Sequence, residues 1–239
     1  MSKLPKYIQD TLLTDSLDNC NMLGFFKNHE PNEVKRINTS FMVCGRSDEL
    51  WWYIHCFERN DYFQFLEDIG FGKHHIVLTN DWMLGELEAR FDIQWMLTCI
   101  KFYLPEEVML PESRLTVNEL LPTDAQFVYK NSNYQSFTSP EYIAKQLEIC
   151  PGVAYYEESR LVAWAMFHDD GAMGLLHVLE DYRRKGIARE LVIELCKRCR
   201  SQNEIPYTSV EPTNIPSLEM VESIGFKPFG NIHWICFEK

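Results

Sequence analysis

The residues best placed to do chemistry run from Leu175 to Val192, LLHVLEDYRRKGIARELV. An apolar run reads as a strand, the basic cluster Arg183-Arg184-Lys185 as a turn, and Ile187 onward as a helix. The first N–H groups of a helix have no partner within it, and its dipole places partial positive charge there. Gly186 has no Cβ, so a ligand can approach the backbone closely, and Ala188 is small for the same reason. Successive N–H groups from Arg184 to Arg189, Ile187 included, then form a cradle for a pyrophosphate. Charged turns before amphipathic helices are common, so the turn alone leaves anion binding and a solvated helix start equally open.

The charge distribution bears on that choice. The chain of 239 residues carries −12 at neutral pH, which argues against nucleic acid or an anionic membrane as partner. Between Arg183 and Arg200, seven basic residues face only Glu190 and Glu194, so this segment is +5 and the remainder −17. A local cationic patch on an acidic protein suits one specific polyanion. The helix itself is well specified. Ala188, Leu191, Val192, Leu195, Cys196 and Cys199 share one face, and Glu194 and Arg198 pair on another. Cys196 and Cys199 lack a second Cys pair, so they read as core residues rather than a redox or metal site, and no metal is expected.

Other elements must position this segment. Leu115 to Leu120 is a strand, Thr123 or Asp124 caps a short helix, and Ser139-Pro140 starts a helix to about Ile149. Val153–Glu157 and Leu161–His168 form a hairpin, and Asp170-Gly171 is a tight turn into a strand over Ala172–Leu179. In that turn His168, Asp169 and Asp170 read as solvated. After the basic helix come a strand at Tyr207–Val210, a helix at Ile215–Ile224 closed by Gly225, and strand over Phe226–Phe237.

That order carries three motifs: Arg183-Arg-Lys-Gly186-Ile-Ala188, then Val210-Glu-Pro-Thr-Asn214-Ile-Pro-Ser217, then Ile224-Gly-Phe226. Residues from about Arg114 to Lys239 thereby resemble the GNAT superfamily of acyl-CoA-dependent N-acyltransferases. The local stretch Met173-Gly-Leu-Leu-His-Val-Leu-Glu-Asp-Tyr-Arg is similar to its glycine N-acyltransferase-like branch. The resemblance implies an α/β fold with a mixed sheet. It implies acetyl-CoA or another acyl-CoA as co-substrate. Backbone of Leu176, His177 and Val178 would line the pantetheine arm, Arg183 to Arg189 the pyrophosphate, and Asn214 and Ser217 the thioester end. Asn214 also reads simply as a helix N-cap.

Two positions depart from the family. A Glu of the glycine N-acyltransferase pattern is Ala172 here, and a Tyr common seven residues after the Asn is Val221. His177, if a bulge turns it inward, and Glu211 are the substitutes for handling the amine proton.

Residues 1–110 show no phosphate signature. Ile8 to Lys27 reads as a helix. Thr39–Cys44 and Leu50–Phe57 read as strands. A helix from Asp61 stops at Gly70, with Gly70 left-handed. A strand at His75–Leu78, a helix from Asn80 or Asp81 to Arg90 and a strand at Gln94–Leu104 come next. This order is compatible with a reduced GNAT-like domain. Pro105–Pro111 reads as a linker, which sets domains of 1–110 and 111–239. With no apolar leader at the start and no long apolar run, a cytoplasmic chain with reduced thiols is expected. The expected reaction is direct transfer of an acetyl or short acyl group to the amine of a small molecule or amino acid. A CoA-binding regulatory protein and a protein N-acetyltransferase are the alternatives. The sequence does not address oligomeric state.

Overall fold

The computed structural model describes residues 3–239. In chain order its helices are α1 (Lys6–Leu12), α2 (Cys20–Asn28), α3 (Arg59–Asp68), α4 (Asp81–Glu88), α5 (Ala125–Asn131), α6 (Pro140–Ile149), α7 (Ile187–Ser201) and α8 (Ile215–Ile224). The strands are β1 (Pro31–Ile37), β2 (Ser40–Arg46), β3 (Leu50–His55), β4 (Lys73–Leu78), β5 (Asp92–Tyr103), β6 (Asn118–Leu120), β7 (Gly152–Glu157), β8 (Arg160–Phe167), β9 (Met173–Val178), β10 (Tyr207–Val210) and β11 (Lys227–Glu238). The mixed α/β class expected from sequence is observed.

The chain forms two compact units. One holds the residues up to Lys101 with Val210–Thr213 and Phe229–Lys239; the other holds Phe102–Ser209 and Asn214–Pro228. By this grouping the residues around 110 lie inside the second unit, and the last strand returns to the first. The segment from Pro105 is tied down there. Arg200 of α7 donates from Nη2 to Pro105 O at 2.7 Å and from Nη1 to Val108 O at 2.8 Å.

In the first unit the strand order is β1-β2-β3-β4-β11-β5. β2 is buried along nearly its whole length because both faces are covered. Phe41 and Val43 join a core with Ile8, Leu12, Phe25 and Phe26 of α1 and α2. Met42 and Cys44 point the other way, into a core with Tyr62, Phe65 and Leu66 of α3. Period-two alternation sorts the one run into both cores.

Two expectations here need correction, and one strand was not anticipated. The single helix from Ile8 to Lys27 is two, α1 and α2, joined by a 3₁₀ turn at Leu13–Asp15. Short polar side chains divert the backbone. The Thr14 hydroxyl donates to Thr11 O at 2.7 Å, Asp15 accepts from Asp18 N–H at 3.2 Å, and Asn19 Nδ2 donates to Asp15 O at 2.9 Å. Helix α3 ends at Asp68 with Ile69 extended, and the left-handed residue is Gly72, at φ +117°. Strand β1 had no sequence signal. It is polar and starts with Pro31, which an edge strand tolerates.

In the second unit the order is β10-β9-β8-β7-β6. β6 to β9 pair antiparallel, and β9 and β10 run parallel. Helices α5 and α6 cover one face. There Trp164, Met166, Val128, Ile143 and Leu147 form a core. Helix α7 packs on β7, β8 and β9. Its Cys196 Sγ lies 4.0 Å from Met173 Sδ, so that thiol is a core group. Two of the predicted caps are in place, while Asp124 precedes α5 without a side-chain cap bond, its Oδ2 accepting instead from Leu121 N–H at 3.0 Å. Ser139 accepts from Tyr142 N–H, with Pro140 at the start of α6, and Gly225 closes α8 at φ +111°.

Candidate functional site

The site is built on β9 and on the basic turn and helix that it leads into. Trp164 of β8 faces His177, and Met166 faces Gly174, so Ala165 alone stands against Leu175 and Leu176. That extra residue is a β-bulge. Leu175 takes φ +45°, a left-handed conformation that costs a non-glycine residue roughly 1–2 kcal/mol. β9 is also parting from β10. Among the described residues their register rests on Thr208 opposite Met173, where the Thr208 hydroxyl donates to Met173 O at 2.7 Å. A bulged strand leaving its parallel neighbour presents backbone groups that no ladder consumes.

The bulge settles the orientation of His177. Its ring stacks on Trp164, with centroids 4.8 Å apart and planes 17° apart, on the α5–α6 face. A small, shallow cleft lies there, lined by Ser132, Asn133 and Tyr134 after α5 and by Trp164, Leu175, Leu176 and His177. Burial, and then the Arg183 charge, hold the His177 imidazole below its ordinary basicity. The cleft wall is therefore neutral at physiological pH.

Beyond Val178 a short 3₁₀ turn, Glu180–Tyr182, leads into the basic segment. Arg183 Nε donates to Val178 O at 3.0 Å, and the Lys185 ammonium sits 4.9 Å from the Tyr182 ring. Arg183, Arg184, Lys185 and Gly186 are exposed, Ala188 and Arg189 half-buried and Ile187 buried. Arg184 has φ +63° and Gly186 φ +80°, so the chain curls just before α7. No side chain caps α7, and a Cβ on Gly186 would meet nothing within 4 Å. This is an open, cationic start to a fifteen-residue helix. The one acid in its first turn is directed elsewhere: Glu190 Oε2 accepts from Arg114 N–H at 2.8 Å and from the Ser113 hydroxyl at 3.1 Å. The residues present thus fit the diphosphate of a nucleotide-like cofactor.

Asn214 caps α8, its Oδ1 accepting from Ser217 N–H at 3.3 Å, so the helix-cap reading of Asn214 is realised in the fold. Glu211 groups with the first unit. There burial, and then the Glu211 charge, push the Cys99 thiol up to about 12. Ala172 and Val221 are buried, at 1 % and 3 % exposure. No group of three or more His, Cys, Asp or Glu able to hold a metal occurs among the described residues.

Sequence reasoning missed two features. Gly174 has no side chain because the ring of His168 occupies that space: a Cβ there would fall 2.0 Å from His168 Nε2. A glycine inside a strand was the available signal. The expectation that His168 and the Asp170 turn are solvated is also wrong. Asp170 is 1 % exposed, and its Oδ1 accepts from Ala172 N–H at 3.0 Å.

Residues 151–235 match the model of the family described as FR47-like protein. The comparison with curated proteins gives no match. Among solved structures, a Drosophila protein superposes with a TM-score of 0.71 at 15% identity, over 84% of this chain and 74% of that one. A GNAT-family acetyltransferase from Colwellia psychrerythraea gives 0.60 at 12% identity, over 98% and 96%. A GCN5-related N-acetyltransferase-like protein from Streptococcus suis gives 0.58 at 14%, over 96% and 97%. The chain therefore has the fold of the GNAT acetyltransferases.

Proposed function

We propose that the chain is an N-acyltransferase that moves an acetyl or short acyl group from coenzyme A to the amine of a small molecule or amino acid. The observation that carries this is the continuity of β9 with the basic turn. A bulged strand that parts from its neighbour runs, within ten residues, into an uncapped cationic helix start. Acyl-CoA would supply the activated thioester. Exposed Arg183, Arg184 and Lys185, with the N–H groups from Gly186 to Arg189, would hold its diphosphate. Backbone of Leu176 to Val178 would align the pantetheine as an added strand. Asn214 and Ser217 would lie along it. An N–H at the bulge is the preorganised donor for the thioester oxygen. The acceptor enters by the cleft at Tyr134, Leu176 and His177, which is uncharged and suits a small amine. We read the chain as akin to the glycine N-acyltransferase-like branch and the first unit as a reduced GNAT-like domain.

One observation favours a second reading, a CoA-binding regulatory protein. Ala172 and Val221 place methyl groups where the family resemblance implies an acid and a phenol, and both are buried. Thiol release from acetyl-CoA with a panel of small amines separates the readings. Release coupled to a new amide supports the transferase. Calorimetric CoA binding with no release from any amine supports the regulator, and absence of binding overturns both.

A further inference from the structure

The cleft and the bulge are made of the same residues. Leu175 and Leu176 form the bulge and also line the cleft. A group seated there lies beside the N–H groups proposed as donors to the thioester oxygen. The other walls are flat rings. His177 has one face on Trp164, 4.8 Å between centroids, and turns the rest of its ring to the cleft. Tyr134 adds a phenol from the segment after α5. Exposed Phe127 extends the aromatic surface, edge-on to Trp164 at 5.8 Å.

The segment that carries Tyr134 is pinned. Ser132 Oγ accepts from Tyr134 N–H at 3.0 Å, and Tyr134 O accepts from Phe137 N–H at 2.9 Å. Gln135 Nε2 donates to Tyr129 O at 3.1 Å and to Lys130 O at 3.0 Å, which closes the end of α5. The rings are thus held in place before a ligand arrives, and this lowers the ordering cost of binding.

Shape and charge select the occupant. A shallow cleft cannot enclose a ligand, but its rings and leucines gain from contact with another planar apolar group, stacked or edge-on. Among the described residues of the lining no side chain is charged at neutral pH, His177 being held neutral. A carboxylate moved here would lose its hydration with no cation in the lining to replace it. Arg183, the charge that acts on His177, has its Nε on Val178 O.

We propose that the acceptor is an aryl-bearing amine without a carboxylate, its ring laid against Tyr134 and His177, and that Tyr134 sets this specificity. This rests on the acyltransferase reading above. The C–N bond forms as the C–S bond breaks with its electron pair on sulfur. Of the two protons the ammonium loses, one goes to that sulfur and one to water.

The test uses the full chain with acetyl-CoA and four acceptors: 2-phenylethylamine, butylamine, phenylalanine and glycine. Compared per concentration of free amine, kcat/KM for 2-phenylethylamine should exceed that for each of the others at least about tenfold. Tyr134→Ala should erase most of that ratio, chiefly through KM, with acetyl-CoA affinity unchanged. Tyr134→Phe should keep the ratio. Independently of turnover, 2-phenylethylamine added to the CoA-bound chain should shift the His177 ring signals in NMR spectra, and butylamine should not. Should Tyr134→Ala fail to fold, the wild-type panel and the NMR shifts decide. Butylamine, phenylalanine or glycine used as well as 2-phenylethylamine, equal NMR shifts with both amines, or a ratio unmoved in a folded Tyr134→Ala would overturn this proposal and leave the acyltransferase reading standing. Absence of transfer by the wild-type chain to any amine would overturn both.

Discussion

The imidazole of His177 lies flat on the indole of Trp164, 4.8 Å between centroids, and this stack forms the floor of the cleft at the β9 bulge. Trp164 is 1 % exposed, with Phe127 edge-on at 5.8 Å. Trp164→Ala should cost about 3–5 kcal/mol and Trp164→Phe clearly less, read from urea denaturation. Equal losses in the two variants would mean that the indole volume is not what supports the floor.

Acid should destabilise the protein through its histidines. His55, His75, His168 and His177 all have basicity below the ordinary 6.5, with burial the first cause in each. Below 6.5 the unfolded chain then binds more protons than the folded one. The stability these groups hold is complete above 6.5 and falls as pH drops through the lower folded values. Urea midpoints should be flat from pH 8 to 7 and decline below 6.5, with a shallower decline in His177→Phe. A midpoint that rises on acidification to pH 5.5 would contradict the assignment.

Much of this was legible in the chain, and the reason differs by element. Helix α7 combined a spaced apolar face with a glycine start, so local and tertiary signals agreed. Ser139-Pro140 and Gly225 gave caps whose chemistry acts within a few residues. Strand β1 was not legible because an edge strand needs no apolar alternation. The break between α1 and α2 depends on Asn19 reaching Leu12 O and Asp15 O, competition that periodicity does not weigh. The bulge at Leu175 was anticipated only as a way to turn His177, since nothing in Leu-Leu-His marks a left-handed residue. His168 was misjudged because Asp-Gly signals a turn without saying whether the turn is covered.

Arg200 should govern the segment that joins β5 to β6. Its guanidinium holds Pro105 O and Val108 O, and its Nε is buried without a partner. Hydrogen bonds from a charged donor contribute about 1.5–3 kcal/mol each when intact. Arg200→Met should expose 105–111 to limited proteolysis well before the rest of the chain, while the wild type resists. Identical cleavage patterns would show that the segment is held by other contacts.

Gly186 separates conformation from charge. Its φ of +80° disfavours any side chain, but the space around a Cβ is open. Gly186→Ala should therefore lose about 1 kcal/mol of stability and keep most CoA affinity. Gly186→Asp should add a negative charge at the helix start and weaken CoA at least about tenfold, by calorimetry. An unchanged CoA dissociation constant in Gly186→Asp would move the diphosphate away from this turn.

Transfer should be direct, without an acyl-enzyme. A covalent route needs a thiolate or comparable nucleophile at the bulge. No cysteine stands on β9, and all cysteines but the half-buried Cys150 are buried. Burial raises the thiols of Cys56, Cys196 and Cys236, pushes Cys44 to about 11 and, first among its causes, Cys99 to about 12. At neutral pH these groups remain protonated and poorly nucleophilic. Cys150 lies at the end of α6, at the opening of the segment into β7 rather than on the bulged strand. Incubation with labelled acetyl-CoA and no amine should leave the intact mass of the protein unchanged, and Cys150→Ser should turn over at the wild-type rate. A stoichiometric acetyl adduct that added amine discharges would sink the direct mechanism. An adduct that amine leaves in place would instead be a side reaction of an exposed lysine or of Cys150, and the direct route would survive it.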